Sequence, residues 1–252
     1  RYEMSLFKKK KKHLETTTMD YGVRMITVSK AGSANTEQFN TIRTNIEFSS
    51  ADEQFKSIML TSSMASEGKS TVAANLAVSF ARQGRKTLLV DSDLRRPTLN
   101  ATFSIADPKG LTNFLTEKDM PANTVIYKTT VDNLSVMPSG PVPPNPSELI
   151  GSRKMAGLIK ALENNFDLVI YDAPPLLSVT DAQLISTRVD GTVLVVREGK
   201  TEKEALRQAV GLLNHVNAKI IGTIFNDVKG SSGSGYYGYY GYYGYYGKED
   251  KK

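Results

Sequence analysis

The stretch Ser57-Ile-Met-Leu-Thr61-Ser-Ser63-Met64-Ala65-Ser66-Glu67-Gly68-Lys69-Ser70-Thr71 passes from an apolar run through a polar loop into a segment of helical periodicity. Residues 57–61 read as a buried strand, and 71–83 as a helix closed by Gly84. Between them stands a near match to the phosphate-loop pattern G-x-x-x-x-G-K-S/T, with Ser63 replacing the first glycine and Gly68, Lys69 and Ser70 in place. Strand, loop and helix N-terminus in that order direct backbone N–H groups and the positive end of a helix dipole at a phosphate. On this reading residues Ser63 to Thr71 cradle the nucleotide, Lys69 meets its terminal phosphates and Ser70 meets Mg²⁺. An ordinary serine-rich turn before a helix is the competing reading.

Outward from this point strands and helices alternate. Phe39, Ile42 and Ile46 recur at helical spacing. Strands are expected at 86–91, 168–172, 192–197 and 219–225, and helices at 153–164, 181–188 and 202–216. Near-continuous apolar strands separated by helices predict an α/β fold of the P-loop NTPase type, a mostly parallel sheet with helices on both faces. Residues 107–147 are less regular and end in a turn-rich proline segment. The expected organisation is a basic flexible arm at 1–20, one domain at 21–229 and a Tyr/Gly-rich tail at 230–252.

Composition narrows the chemistry. The chain of 252 residues has no Cys and only two His, His13 and His215, which removes disulfides, thiolate metal sites and a three-histidine zinc site. No G-x-S-x-G elbow supports a serine hydrolase. The net charge of +6 is concentrated at the start: residues 1–12 carry +5, leaving +1 for the other 240. A nearly neutral body argues against a nucleic-acid-binding face. No apolar stretch approaches the roughly 18 residues of a membrane span, so the expected place is the cytoplasm, or the cytosolic face of a membrane reached through the Lys8–Lys12 run. A run that is merely solvated is the duller alternative.

Three carboxylates strengthen the nucleotide reading. Asp91 and Asp93 lie at the end of Thr87-Leu-Leu-Val-Asp91, and Asp172 ends Leu168-Val-Ile-Tyr-Asp172. All three fall at the carboxyl edge, where open parallel sheets bind ligands. Three acids beside a triphosphate would repel it without a divalent ion, which fits hydrated Mg²⁺ held by Ser70, the phosphates, Asp93 and Asp172. Any single Asp reads equally well as a helix cap or turn acid.

These residues resemble a family. Leu88-Leu-Val-Asp91-Ser-Asp93-Leu-Arg95-Arg96-Pro97 resembles the second Walker motif of the bacterial tyrosine kinases of capsule and exopolysaccharide synthesis. Tyr171-Asp172-Ala-Pro-Pro175 is similar to their Walker B motif, and 140–149 to a segment they share. The tail resembles their phosphoacceptor cluster, with Tyr236, Tyr237, Tyr239, Tyr240, Tyr242, Tyr243, Tyr245 and Tyr246. The resemblance spans about residues 30 to 247. It departs at Ala65 and Ser66, where the family usually has Pro and Gly, and at Asn40 in Glu37-x-x-Asn40-x-x-Arg43, where its oligomerisation helix has Arg.

The resemblance implies ATP- and Mg²⁺-dependent transfer of phosphate to tyrosine, with Lys69, Asp91, Asp93 and Asp172 catalytic and Asp91 the base for the phenol. It implies a homo-oligomeric ring while unphosphorylated, contacts at Glu37 and Arg43, a separate integral-membrane activator of the polysaccharide co-polymerase type, and a tyrosine phosphatase. Asn226 and Asp227 match the adenine-contacting position of related ATPases, and read equally as a surface turn. Arg95 and Arg96 are expected to hold phosphate or a neighbouring subunit, or simply to be solvated. The same elements also resemble ATPase switches of the ParA and MinD type, whose signature lysine falls where this chain has Met64. A scaffold that only binds ATP is a third reading, as is a merely sticky aromatic tail.

Overall fold

A computed structural model describes residues 17–50, 54–106 and 108–228. Seven strands form one sheet: β1 Ser57–Ser62, β2 Thr87–Asp91, β3 Tyr127–Lys128, β4 Leu134–Met137, β5 Leu168–Asp172, β6 Gly191–Arg197 and β7 Ile220–Asn226. Their order is β3-β4-β2-β5-β1-β6-β7, and every pair is parallel except β3 with β4. The expected α/β architecture is therefore present. The chain fills one side of β1 with β2 to β5 before β6 and β7 fill the other. The loop after β1 thus opens where the winding reverses, which is where such sheets leave a crevice.

Period-2 alternation splits the core between the two faces. Ile58, Leu60, Leu89, Ile170 and Val193 pack on one side with Val72, Leu76 and Phe80 of the helix Lys69–Arg82. Met59, Leu88, Val90, Val169 and Leu194 pack on the other with Leu158, Ile159 and Leu162 of the helix Arg153–Asn165 and Leu213 of the helix Lys203–His215. Lys69–Arg82 is buried over most of its circumference because the helix Ala34–Phe48 covers its outer side. That outer helix starts at Ser33, whose side chain accepts from Thr36 N.

Two differences from the sequence reading matter. The P-loop helix begins at Lys69, two residues before the expected Thr71, so Lys69 and Ser70 sit in its first turn. The segment 107–147 contributes two strands, β3 and β4, and the short helices Leu111–Thr116 and Pro146–Gly151. Long-range bonds hold it: Leu111 N donates to Pro138 O and Thr112 N to Ser139 O, both at 2.8 Å. Gly110 permits that approach, since a Cβ there would stand 2.1 Å from Pro138 O. The lysine run and the tyrosine cluster lie outside the described residues.

Candidate active site at the carboxyl edge

Register places the carboxylates. Asp91 on β2 pairs with Asp172 on β5, and Asp172 is level with Leu60 on β1, one strand from the start of the P-loop. Gly68 turns the loop into its helix with φ of 93°, a left-handed geometry, and a Cβ there would meet Asn226 Nδ2 at 2.0 Å. The helix then carries Lys69 to the acids. Its Nζ lies 2.9 Å from Asp93 Oδ2, 3.3 Å from Asp172 Oδ1 and 3.3 Å from Ser70 Oγ. Asp91 Oδ2 accepts from Thr98 N at 2.8 Å and Leu99 N at 3.0 Å.

Asp91, Asp93 and Asp172 are all buried around one ammonium, so negative charge is in excess. Burial, then Asp172 and Asp93, push the Asp91 carboxyl from 3.8 up to about 8. Burial also raises Asp172, against the opposing pull of Lys69 and a hydrogen bond from Ser70. For Lys69 burial acts downward, and Asp172 and Asp93 more than reverse it, so the ammonium holds its proton above the ordinary range.

Two buried acceptors of this cluster, Asp91 Oδ1 and Asp172 Oδ2, have no hydrogen-bond partner among the described residues. Unpartnered carboxyl oxygens near a serine hydroxyl suit a hard divalent cation. Among the described residues no group of three or more His, Cys, Asp or Glu could hold a metal alone. A cation here would therefore depend on phosphate oxygens and water for its remaining ligands, as Mg²⁺ commonly does.

The rim of the loop is built from parts the sequence reading used only in part. Met64 N donates to Glu67 Oε2, Asn226 Nδ2 donates to Glu67 O, and Asp227 pairs with Arg197 at 2.8 Å. Asn226 is the last residue of β7, and it leads with Asp227 and Val228 into a groove of about 890 Å³ shared with Thr71, Gln38 and Asn45. Arg197, Lys200 and Thr201, which the sequence reading passed over, touch Ser66 and Glu67. Their signal was available in principle, because β6 is parallel to β1 and its end reaches the same edge.

Other expected residues sit apart. Arg95 donates to Asp181 through Nε at 3.2 Å and to Ser147 Oγ at 3.0 Å, which ties the segment after β2 to the helix Pro146–Gly151 that ends the proline-rich loop and to the helix Asp181–Ser186. Arg43 directs Nη1 to Ser79 O and Oγ, at 3.1 and 3.2 Å, across to the P-loop helix. With Nη1 engaged and Nε buried, an interface through Arg43 would have to use Nη2, while Glu37 stays exposed.

A family profile described as an AAA domain matches residues 56–223. The chain is 47% identical over 205 residues to the tyrosine-protein kinase YwqD of Bacillus subtilis, covering 81% of this chain and 86% of the relative. Among solved structures, the kinase domain of the Escherichia coli tyrosine kinase ETK superposes with a TM-score of 0.79 at 31% identity, covering 86% of this chain and 85% of that one. The septum site-determining protein MinD of Pyrococcus horikoshii, complexed with Mg-ADP, gives 0.58 at 27%, covering 70% and 72%. The greater likeness is to the kinases, and with the loop, the three aspartates and the sheet order it shows that the chain belongs to the bacterial tyrosine kinases, on a P-loop ATPase fold shared with MinD.

Proposed function

We propose that the site transfers the γ-phosphoryl group of ATP to tyrosines of the C-terminal tail, between subunits, and that this controls capsular or extracellular polysaccharide synthesis. The carrying observation is the pair of buried, unpartnered oxygens, Asp91 Oδ1 and Asp172 Oδ2, in the carboxyl cluster where Lys69 Nζ meets Asp172 Oδ1 at the head of the P-loop helix. In this reading Lys69 leaves Asp93 and Asp172 for the phosphates, which take over the negative charge around its ammonium. Ser70, Asp93 and Asp172 would hold Mg²⁺, which when bound neutralises charge on the phosphates. Asp91 Oδ1 takes the phenolic proton as the tyrosine oxygen bonds to the γ-phosphorus and the bond to the β-phosphate oxygen breaks, releasing ADP. In its deprotonated form a carboxyl raised to about 8 is a stronger base toward a phenol of about 10 than an ordinary aspartate is. Asn226 and Asp227 flank the end of the groove that would receive the adenine.

Eight of the twelve tyrosines stand in the tail. Of the three described ones, Tyr171 is fully buried, Tyr127 donates to Lys109 O and Tyr21 is exposed. The tail follows β7, whose end lies beside the P-loop, and the eight residues after Val228, up to Tyr236, span at most about 26 Å. Length allows transfer within one chain, but the tail would then have to double back from the base end to the γ-phosphate. A neighbour offers its tail without that reversal. Eight phosphates add roughly −12 to −16 of charge, which would drive neighbours apart until a phosphatase removes it. An integral-membrane activator is the partner proposed for the cytosolic face. Mixing Lys69→Met chains with active chains lacking residues 231–252, plus ATP and Mg²⁺, should add phosphate in whole steps to the Lys69→Met chain by intact mass. An Lys69→Met chain that gains none defeats transfer between subunits, and no phosphate on the full wild-type chain defeats the kinase reading.

A further inference from the structure

The loop departs from its family at Ser66, and the structure shows what that departure requires. Ser66 has φ of 63°, in the left-handed region that glycine enters freely and a residue with a Cβ does not. Groups from the turn after β6 converge on this point. Arg197 Nη1 donates to Ser66 O at 3.2 Å and Lys200 Nζ to the same oxygen at 3.3 Å. Thr201 Oγ1 donates to Glu67 Oε1 at 2.6 Å, and Arg197 N donates back to Thr201 Oγ1 at 2.9 Å. Glu67, only 1% exposed, passes the constraint on by accepting from Met64 N at 3.1 Å. Arg197 is itself aimed by Asp227, whose Oδ2 receives Nε at 3.0 Å and Nη2 at 2.8 Å.

We propose that the turn from Arg197 to Thr201 is a clamp that holds the phosphate loop in its binding shape, with Arg197 as a positioning residue that does for Ser66 what glycine would do unaided. This rests on the reading of the loop as the phosphate site. Successive backbone N–H groups face an anion only while the left-handed residues of such a loop stay in place. A carbonyl fixed by two cations keeps the 66–67 peptide oriented, so that it does not relax to the right-handed form. Arg197 contacts Ser66, Thr201 and Asp227 and not Asp91, Asp93, Asp172 or Lys69, so its effect on the phosphates passes through the loop.

The clamp makes a prediction that an ordinary surface ion pair does not. The full chain with Mg²⁺ is titrated with a fluorescent ATP analogue as wild type, Arg197→Ala, Ser66→Gly and the double variant. Arg197→Ala should weaken binding about tenfold, or about 1.4 kcal/mol, in the Ser66 background. In the Ser66→Gly background the same change should cost at most about twofold to threefold, because glycine holds the conformation without help. Arg197→Lys should fall between wild type and Arg197→Ala. Equal losses in both backgrounds, or no loss in either, overturn the clamp and leave only an Arg197 to Asp227 ion pair. Should Arg197→Ala not fold, Thr201→Val, which leaves that ion pair intact, takes its place in both backgrounds with the same criterion. A wild-type chain that fails to bind the analogue overturns the phosphate-site reading itself, and the clamp with it.

Discussion

Replacing Asp91 by Asn should make the nucleotide-free protein more stable while abolishing phosphate transfer. The carboxyl is raised from 3.8 to about 8 by burial first and by Asp172 and Asp93 next. A group raised in this way stabilises the fold fully below about pH 4, and that contribution is lost as pH climbs to about 8. At pH 7.5 the interval above 3.8, at about 1.4 kcal/mol per unit, sets a ceiling of about 5 kcal/mol on the penalty. Asn keeps an acceptor for Thr98 N and Leu99 N but buries an amide N–H where Oδ1 lacks a partner, which costs about 1–3 kcal/mol. The expected net gain is about 2 kcal/mol, or about 4–8 °C in melting temperature for a chain of this size. Thermal melts from pH 5 to 9, free of nucleotide and Mg²⁺, supply the test. The gap between variant and parent should be near zero or reversed at pH 5, widen up to pH 8 and then level off. A variant that melts at or below its parent at pH 8, or a gap indifferent to pH, refutes the claim that Asp91 is held at a stability cost.

Lys69→Met should abolish transfer and also lower the nucleotide-free melting point, because the ammonium is the counter-ion of Asp93 and Asp172; breaking such a buried pair costs about 3–5 kcal/mol, and an unchanged melt would contradict the pairing. Gly110→Ala should destabilise by about 1–3 kcal/mol in thermal melts, since its Cβ would meet the backbone at Pro138 O, Gly140 N and Ser139 C; a wild-type melt would show that the 110–140 contact yields freely. Deleting residues 1–12 should weaken binding to anionic vesicles, by at most about 1 kcal/mol per lysine, and leave tail phosphorylation nearly unchanged; vesicle binding indifferent to both deletion and salt removes the membrane role.

The central strands were legible because each is a short apolar run, and period 2 says which residues share a face. The P-loop, its lysine and the three aspartates were legible for a related reason: position at a strand's carboxyl end follows from local order alone. Strand β4 escaped notice because Leu134-Ser-Val-Met137 is four residues long with a polar interruption, and it becomes a strand only beside β2. The helix Leu111–Thr116 is likewise completed by carbonyls nearly thirty positions away. Arg43 shows the limit of spacing on a helix. Periodicity puts it near Glu37 and Asn40, yet Ser79 on the next helix decides that its Nη1 points inward.

Strand neighbourhood is the property that local order does not carry, and the site depends on it most. Asp91 and Asp172 stand 81 positions apart in the chain, and nothing in either segment says that their strands are adjacent. It is β5, inserted between β1 and β2, that sets Asp172 level with Asp91 and within 3.3 Å of the lysine that follows β1. That insertion adds Asp172 to the burial that raises Asp91 and to Asp93 in holding the ammonium of Lys69. With β5 at the sheet's edge instead, Asp172 would be parted from Asp91, Asp93 and Lys69. The place of the three aspartates in the strand order, more than the motif letters, therefore gathers them into one buried cluster around Lys69.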